Sequence, residues 1–241
     1  RYGIVNKIVS VPNHPKSDEE IVDLYASAIT SKTRLLMVCH MVNITGQILP
    51  IKKICDMAHS KGVDVMVDGA HAIAHIDFNM KDLDCDYYGA SLHKWLSTPL
   101  GAGLLYVKKE KIKDLTPTIA TWTEKADDIK KLNHTGTHPV QTDIAVIDAI
   151  NFYEKLGKKR KEERLRYLQR YWSDKVRNVK GITVNTPEDP TRSCGIANVG
   201  IDKMKPADVA KVLLEKYKIN TAATDGQGAL GRRIPPNAVA T

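Results

Sequence analysis

Residues 34 to 68 read as strand, helix, strand. "RLLMVCH" (34–40) is an apolar run of strand length, "LPIKKICDMAHSKG" (49–62) places its apolar residues at helical spacing and stops at Gly62, and "VDVMVD" (63–68) is a second buried run. A helix between two such runs is a βαβ crossover, which commits the chain to a parallel sheet covered by helices. Ligands bind such sheets beyond the carboxyl ends of the strands. Three of those ends can be named: "CHMVNITG" after the first strand, "DGAHAIAH" after the second, and "SLHKW" after "DYYGA".

The rest of the chain keeps this α/β rhythm only to residue 109. Upstream, Ser17-Asp18-Glu19-Glu20 is a capping box that opens a helix through "IVDLYASAIT". "GAGLLYVKK" (101–109) adds a strand, 110–137 looks irregular, and 139–157 is a helix ended by Gly157. A long charged helix follows to about 178, and "ITVNTP", "CGIANVGI", "PADVAKVLLEKY" and "INTAAT" make a second α+β segment. The expected fold class is therefore α/β, a mainly parallel sheet flanked by helices followed by a smaller α+β C-terminal domain. The expected boundaries are 1–137 for the sheet domain, 138–178 for connecting helices and 179–241 for the small domain.

Composition excludes several classes. With 241 residues, 42% of them hydrophobic, the chain can bury a large core. It contains no apolar run near the roughly 18 residues that span a bilayer. "RYGIVNKIVS" lacks the features of a signal peptide, so the expected location is the cytoplasm. Four scattered cysteines without a CxxC pair suggest reduced structural thiols. The net charge of +8 lies largely in "KLGKKRKEERLRYLQRYWSDKVRNVKG", where acids alternate with bases as on a solvated helix face, and no nucleic-acid motif accompanies it. An anionic small ligand also suits this charge.

Asp68 closes a strongly apolar strand, so it requires a cationic or hydrogen-bonding partner. Lys94 follows the next strand and can project into the same crevice, either as that carboxylate's salt-bridge partner or as a nucleophilic amine. Ser91 and His93 can bind an anion beside it, Gly101 and Gly103 allow close backbone approach, and His71 can cover a flat ring. Asn43, Thr45 and Gly46 occupy the third strand end. A planar, phosphorylated, nitrogen-containing cofactor would use all of these groups, and pyridoxal phosphate is such a molecule.

The stretch "VDGAHAIAHIDFNMKDLDCDYYGASLHKWLSTPLGAGLLYVKK", preceded by "VNITGQILPIKKICDMAHSKG", resembles the class V aminotransferase family of fold-type I pyridoxal-phosphate enzymes, and within it the isopenicillin N epimerase-like branch. The likeness is continuous over about 34–109 and weaker beyond. It implies that Lys94 is the Schiff-base lysine, that Asp68 pairs with the ring nitrogen, that His71 lies over the ring and that Asn43 reaches the phenolic oxygen. Ser91 and His93 would bind the phosphate. "HTGTHP" imperfectly matches the family's Gly-Thr-Pro element, which points to Thr137 on the other subunit's cofactor and so to a homodimer. "GRRIPPN" resembles the segment whose arginine grips the substrate carboxylate, with Arg233 aligning better than Arg232. The implied activity is epimerase-like or aminotransferase-like chemistry at the Cα of an amino-acid substrate.

Other readings remain. A cysteine desulfurase or selenocysteine lyase needs a thiolate shortly before the carboxylate-binding arginine, and "NTAATDGQGALGRR" has no cysteine; Cys194 reads as core. A metal hydrolase is prompted by His71 and His75 beside Asp68, and by His134 and His138. Members of the family are also longer, with an N-terminal portion carrying a phosphate-holding turn. A non-catalytic fragment is therefore a further alternative.

Overall fold

Apolar residues recur through Val38, Val65 and Val67, and the strands they form are packed against helices carrying Ile21, Tyr25, Ile51, Ile54 and Ala58. This computed structural model describes residues 3–119, 125–133 and 136–224, together with the backbone of 238–240. α1 (Asp18–Ala28) begins where predicted: the Ser17 side chain accepts from the Glu20 amide, and the Glu20 carboxylate in turn accepts from Lys16. β1 (Leu35–Cys39), α2 (Ile51–Ser60) and β2 (Asp64–Asp68) form the expected crossover. A short α3 (Met80–Leu83) leads to β3 (Tyr87–Ser91), and β4 (Gly103–Val107) closes the sheet.

The strand order is β1-β2-β3-β4. β1, β2 and β3 are parallel, with Cys39 opposite Asp68 and Asp68 opposite Gly89. β4 runs antiparallel to β3, placing Ser91 opposite Gly103. Three strands therefore finish level at one edge of the sheet.

The opposite edge is held by charge. Asp86, which is buried, accepts from the Val65 amide at 2.8 Å and lies 2.8 Å from His59 Nε2, with Lys111 Nζ at 3.8 Å. Lys111 also pairs with Asp64 at 2.6 Å, and Lys108 with Asp84. One end of the sheet is thus tied by ion pairs, which leaves the other to the groups after the strand ends.

Two short 3-10 turns (Lys109–Asp114 and Ile129–Leu132) precede α4 (Val140–Leu156) and α5 (Lys158–Val176), which abut at Gly157, where φ is +85°. β5 (Ile182–Val184), β6 (Asn198–Ile201), α6 (Pro206–Tyr217), β7 (Ala222–Thr224) and β8 (Ala238–Ala240) complete the fold, with an antiparallel sheet of order β5-β6-β8-β7. The strand expected from Cys194 starts only at Asn198. The backbone before it is committed elsewhere: the Arg192 carbonyl accepts from the Ile48 amide, and the Gly195 amide donates to His75. Gly46, at φ +70°, has no room for a side chain because a Cβ would overlap the Ile196 carbonyl. The 192–196 segment is therefore seated on the loops of the parallel sheet.

Candidate functional site

Each strand end delivers one part of the site. After β1 the chain turns back through a tight loop in which the Gly46 amide donates to the Val42 carbonyl at 2.8 Å and the Val42 amide to Gln47 at 2.9 Å. Thr45 is buried in that loop, accepting from the Gln47 amide, and Asn43 is exposed at its tip. After β2, Asp68 is half-buried, and its Oδ1 accepts from the Ala70 amide at 3.0 Å, bending the chain into the D-G-A-H turn. The Gly69 amide donates to the Gly89 carbonyl at 2.7 Å, tying that turn to β3.

After β3 comes the lysine. The loop from Leu92 to Ala102 is closed at its base by the Leu92 amide donating to the Ala102 carbonyl. Leu92, Leu96 and Ala102 are buried with Ala74, and Val146, Ala149 and Tyr153 of α4 pack on them. Lys94 itself is exposed, and its Nζ lies 3.0 Å from His71 Nε2. No ion pair joins Asp68 to Lys94, whose amine instead meets His71, so the salt-bridge reading of the two residues is not what the structure holds. Both act on His71: burial, helped by Lys94 and opposed by Asp68, pushes its imidazole down to about 4.

Trp95, which sequence patterns did not connect to this triad, and His75, which they connected only as a possible metal ligand, are both joined to it. Trp95 Nε1–H donates to His71 Nδ1 at 3.3 Å, and its ring stacks on His75 with centroids 3.6 Å apart. His75 Nδ1 lies 2.8 Å from the His71 carbonyl, and its Nε2 accepts from the Gly195 amide at 2.8 Å. Burial pushes His75 down to about 3. Lys161 of α5 donates to the Trp95 carbonyl. The adjacency of Trp95 to Lys94 was the available signal; nothing in the spacing linked it to His75 or Lys161.

The remaining site residues are placed unevenly. Ser91 ends β3 and His93 follows it, half-buried, with a buried Nδ1 that has no partner among the described residues. Thr137 is exposed ahead of α4 and makes no hydrogen bond to the others, while Arg232, Arg233 and His134 lie outside the described residues. His138 is exposed and pairs with Asp143 at 2.7 Å. Both nitrogens of His75 are engaged, and no three His, Cys, Asp or Glu side chains converge as metal ligands among the described residues. Cys194 is fully buried, and burial raises its thiol to about 11, so it is not a reactive thiolate. No described helix is long and apolar enough to cross a membrane.

Comparison with known proteins gives a consistent picture. The model of the family described as "Aminotransferase class-V" matches residues 6–230. The isopenicillin N epimerase of Streptomyces clavuligerus is 27% identical across 98% of this chain and 64% of its own length; that of Amycolatopsis lactamdurans is 32% identical across 78% of this chain and 51% of its own. The chain thus spans about half to two thirds of the length of these relatives. Among solved structures, the apo cysteine desulfurase of Thermococcus onnurineus NA1 superposes with a TM-score of 0.79 at 19% identity, covering 98% of this chain and 60% of that one. That likeness shows a shared fold.

Proposed function

Because the chain belongs to the class V aminotransferase family, we propose that it is the pyridoxal-phosphate-binding part of an enzyme acting at the Cα of an amino acid, with epimerase-like or aminotransferase-like chemistry. The observation that carries this reading is the convergence of Asp68, His71 and Lys94 beyond the level strand ends of a parallel sheet.

The residues present fit the cofactor. Lys94 offers an exposed amine, Asp68 has one oxygen on a backbone amide and a second for a ring nitrogen, and the buried, unpartnered Nδ1 of His93 suits an anion's oxygen. When bound, pyridoxal phosphate supplies an aldehyde to a lysine amine and an electron sink for the Cα carbanion. Asp68 would keep a pyridine nitrogen protonated, which strengthens that sink. His71 would bound one face of the ring, Asn43 would approach its phenolic oxygen, and Ser91 with His93 would hold the phosphate. Lys94, once released by the substrate, would move the Cα proton. Inversion would need a proton supplied to the opposite face of Cα, whereas amino-group transfer would need a keto-acid acceptor. Thr137 contributing to a second subunit's site in a homodimer, and Arg233 gripping the substrate carboxylate, complete the reading.

The isopenicillin N epimerase that covers 98% of this chain supports this chemistry over desulfuration, and so does the inert, buried Cys194. The test is visible absorbance after adding pyridoxal phosphate. A band in the wild type that Lys94→Ala abolishes is expected; a band surviving in Lys94→Ala would refute the assignment. Deuterium wash-in at Cα with and without a keto acid then separates inversion from transfer.

A further inference from the structure

Two fixed groups on these rings can only donate hydrogen bonds, the indole N–H of Trp95 on His71 and the backbone amide of Gly195 on His75. Their positions remove the tautomeric freedom of both histidines. Gly195 N–H occupies His75 Nε2, so the His75 proton resides on Nδ1 and is donated to the His71 carbonyl at 2.8 Å. Trp95 N–H occupies His71 Nδ1, so the proton of neutral His71 resides on Nε2, the atom 3.0 Å from Lys94 Nζ.

We propose that Trp95 is a positioning residue that fixes His71 as the Nε2–H tautomer and thereby turns a proton, not a lone pair, toward Lys94. A hydrogen bond across that gap requires the lysine nitrogen to accept, which the uncharged amine does and the ammonium does not. A lysine nitrogen that accepts there is the amine that can add to an aldehyde, and to that extent the proposal rests on the role given to Lys94 above. Three further contacts hold Trp95 in place: its stack on His75, the Lys161 ammonium on its carbonyl, and the packing of Leu92 and Leu96 around the loop. His75 is itself anchored by Gly195, where a Cβ would lie 2.9 Å from Nε2, so the C-terminal segment braces the indole. The charged groups that act on these rings are Asp68 on His71, and Lys161 and Arg166 of α5 on His75; Lys94 acts on His71 by charge only in its ammonium form.

The experiment uses the full chain labelled with 15N-histidine, the ring-nitrogen signals of His71 being assigned by their loss in His71→Asn. Near neutral pH the wild type should show the Nε2–H form of His71. Trp95→Phe keeps an aromatic ring against His75 but deletes the donor, and should turn His71 into a mixture of tautomers. A His71 protonated on Nδ1 in the wild type would overturn the proposal even if the variant does not fold. So would a Trp95→Phe protein in which the Nε2–H form persists. A second readout is the pH midpoint at which added pyridoxal phosphate gives its visible band. It should rise by about half to one unit in Trp95→Phe, the equivalent of one hydrogen bond; an unchanged midpoint counts against the proposal. Absence of any band in the wild type would instead overturn the role of Lys94, leaving the tautomer measurement to decide that of Trp95.

Discussion

Gly69 faces the ring of Tyr88 so closely that a Cβ at position 69 would overlap it. Tyr88 is fully buried, and its hydroxyl lies 3.0 Å from His40 Nδ1, so the ring has little room to retreat. The turn that presents Asp68 and His71 is therefore seated on an aromatic ring of the neighbouring strand. Gly69→Ala should destabilise the protein by about 1–3 kcal/mol, the usual cost of overpacking. It should also weaken pyridoxal-phosphate uptake beyond what the loss of folded protein explains. Urea denaturation and cofactor titration measure the two effects separately.

Acid should unfold the protein from a higher pH than its carboxylates alone would set. Burial lowers His40 and His71 to about 4 and His75 to about 3 from an ordinary value of 6.5. Between these limits the unfolded chain binds protons that the folded chain refuses. The contribution is therefore fully present above about pH 6.5 and is lost as pH falls toward the folded values, at about 1.4 kcal/mol per pH unit for each ring. Urea midpoints measured from pH 7 to pH 5 should fall with this slope, and His40→Asn should remove one proton's share of it.

The charged end of the sheet should be separable from the site. Asp86→Ala leaves the Val65 amide without its acceptor and His59 and Lys111 without their shared carboxylate, at a cost of about 1–3 kcal/mol. Asp86 precedes β3, whereas Lys94 follows it. The visible band per mole of folded protein should stay at the wild-type level. A lost band in a folded Asp86→Ala protein would show that the two ends are coupled.

Thiol chemistry should be silent in the native state at three positions. Cys55, Cys85 and Cys194 are fully buried, and burial raises their thiols to about 12, 11 and 11. At pH 8 Ellman's reagent should modify them only after unfolding. A fast native reaction assigned to Cys194 by mass spectrometry would reopen desulfurase-like chemistry.

Much of this was legible in the residues. The apolar runs around α2 gave the crossover, and parallel pairing then forced Asp68 and the end of β3 to one edge. The antiparallel direction of β4 was not written in its pattern, because "GLLYV" suits either direction. Cys194 to Ala197 looked like strand because the residues are apolar or small, yet their backbone serves the loops holding Gly46 and His75. His75 was noticed for its spacing from His71 as a possible ligand pair. Its actual partners, Gly195 and Trp95, are set by tertiary packing, which no periodicity encodes.

The lysine loop shows how such a fold can change without losing its chemistry. Its base is pinned by the pairing of Ser91 with Gly103 and by the hydrogen bond between Leu92 and Ala102, so Lys94 stands inside a fixed frame. Beyond it, Ser97 and Gly101 have positive φ, and Pro99 and Leu100 are exposed at the crest. Insertions or exchanges at that crest leave the frame untouched, so variation there can accumulate at little cost while the position of the amine is inherited intact.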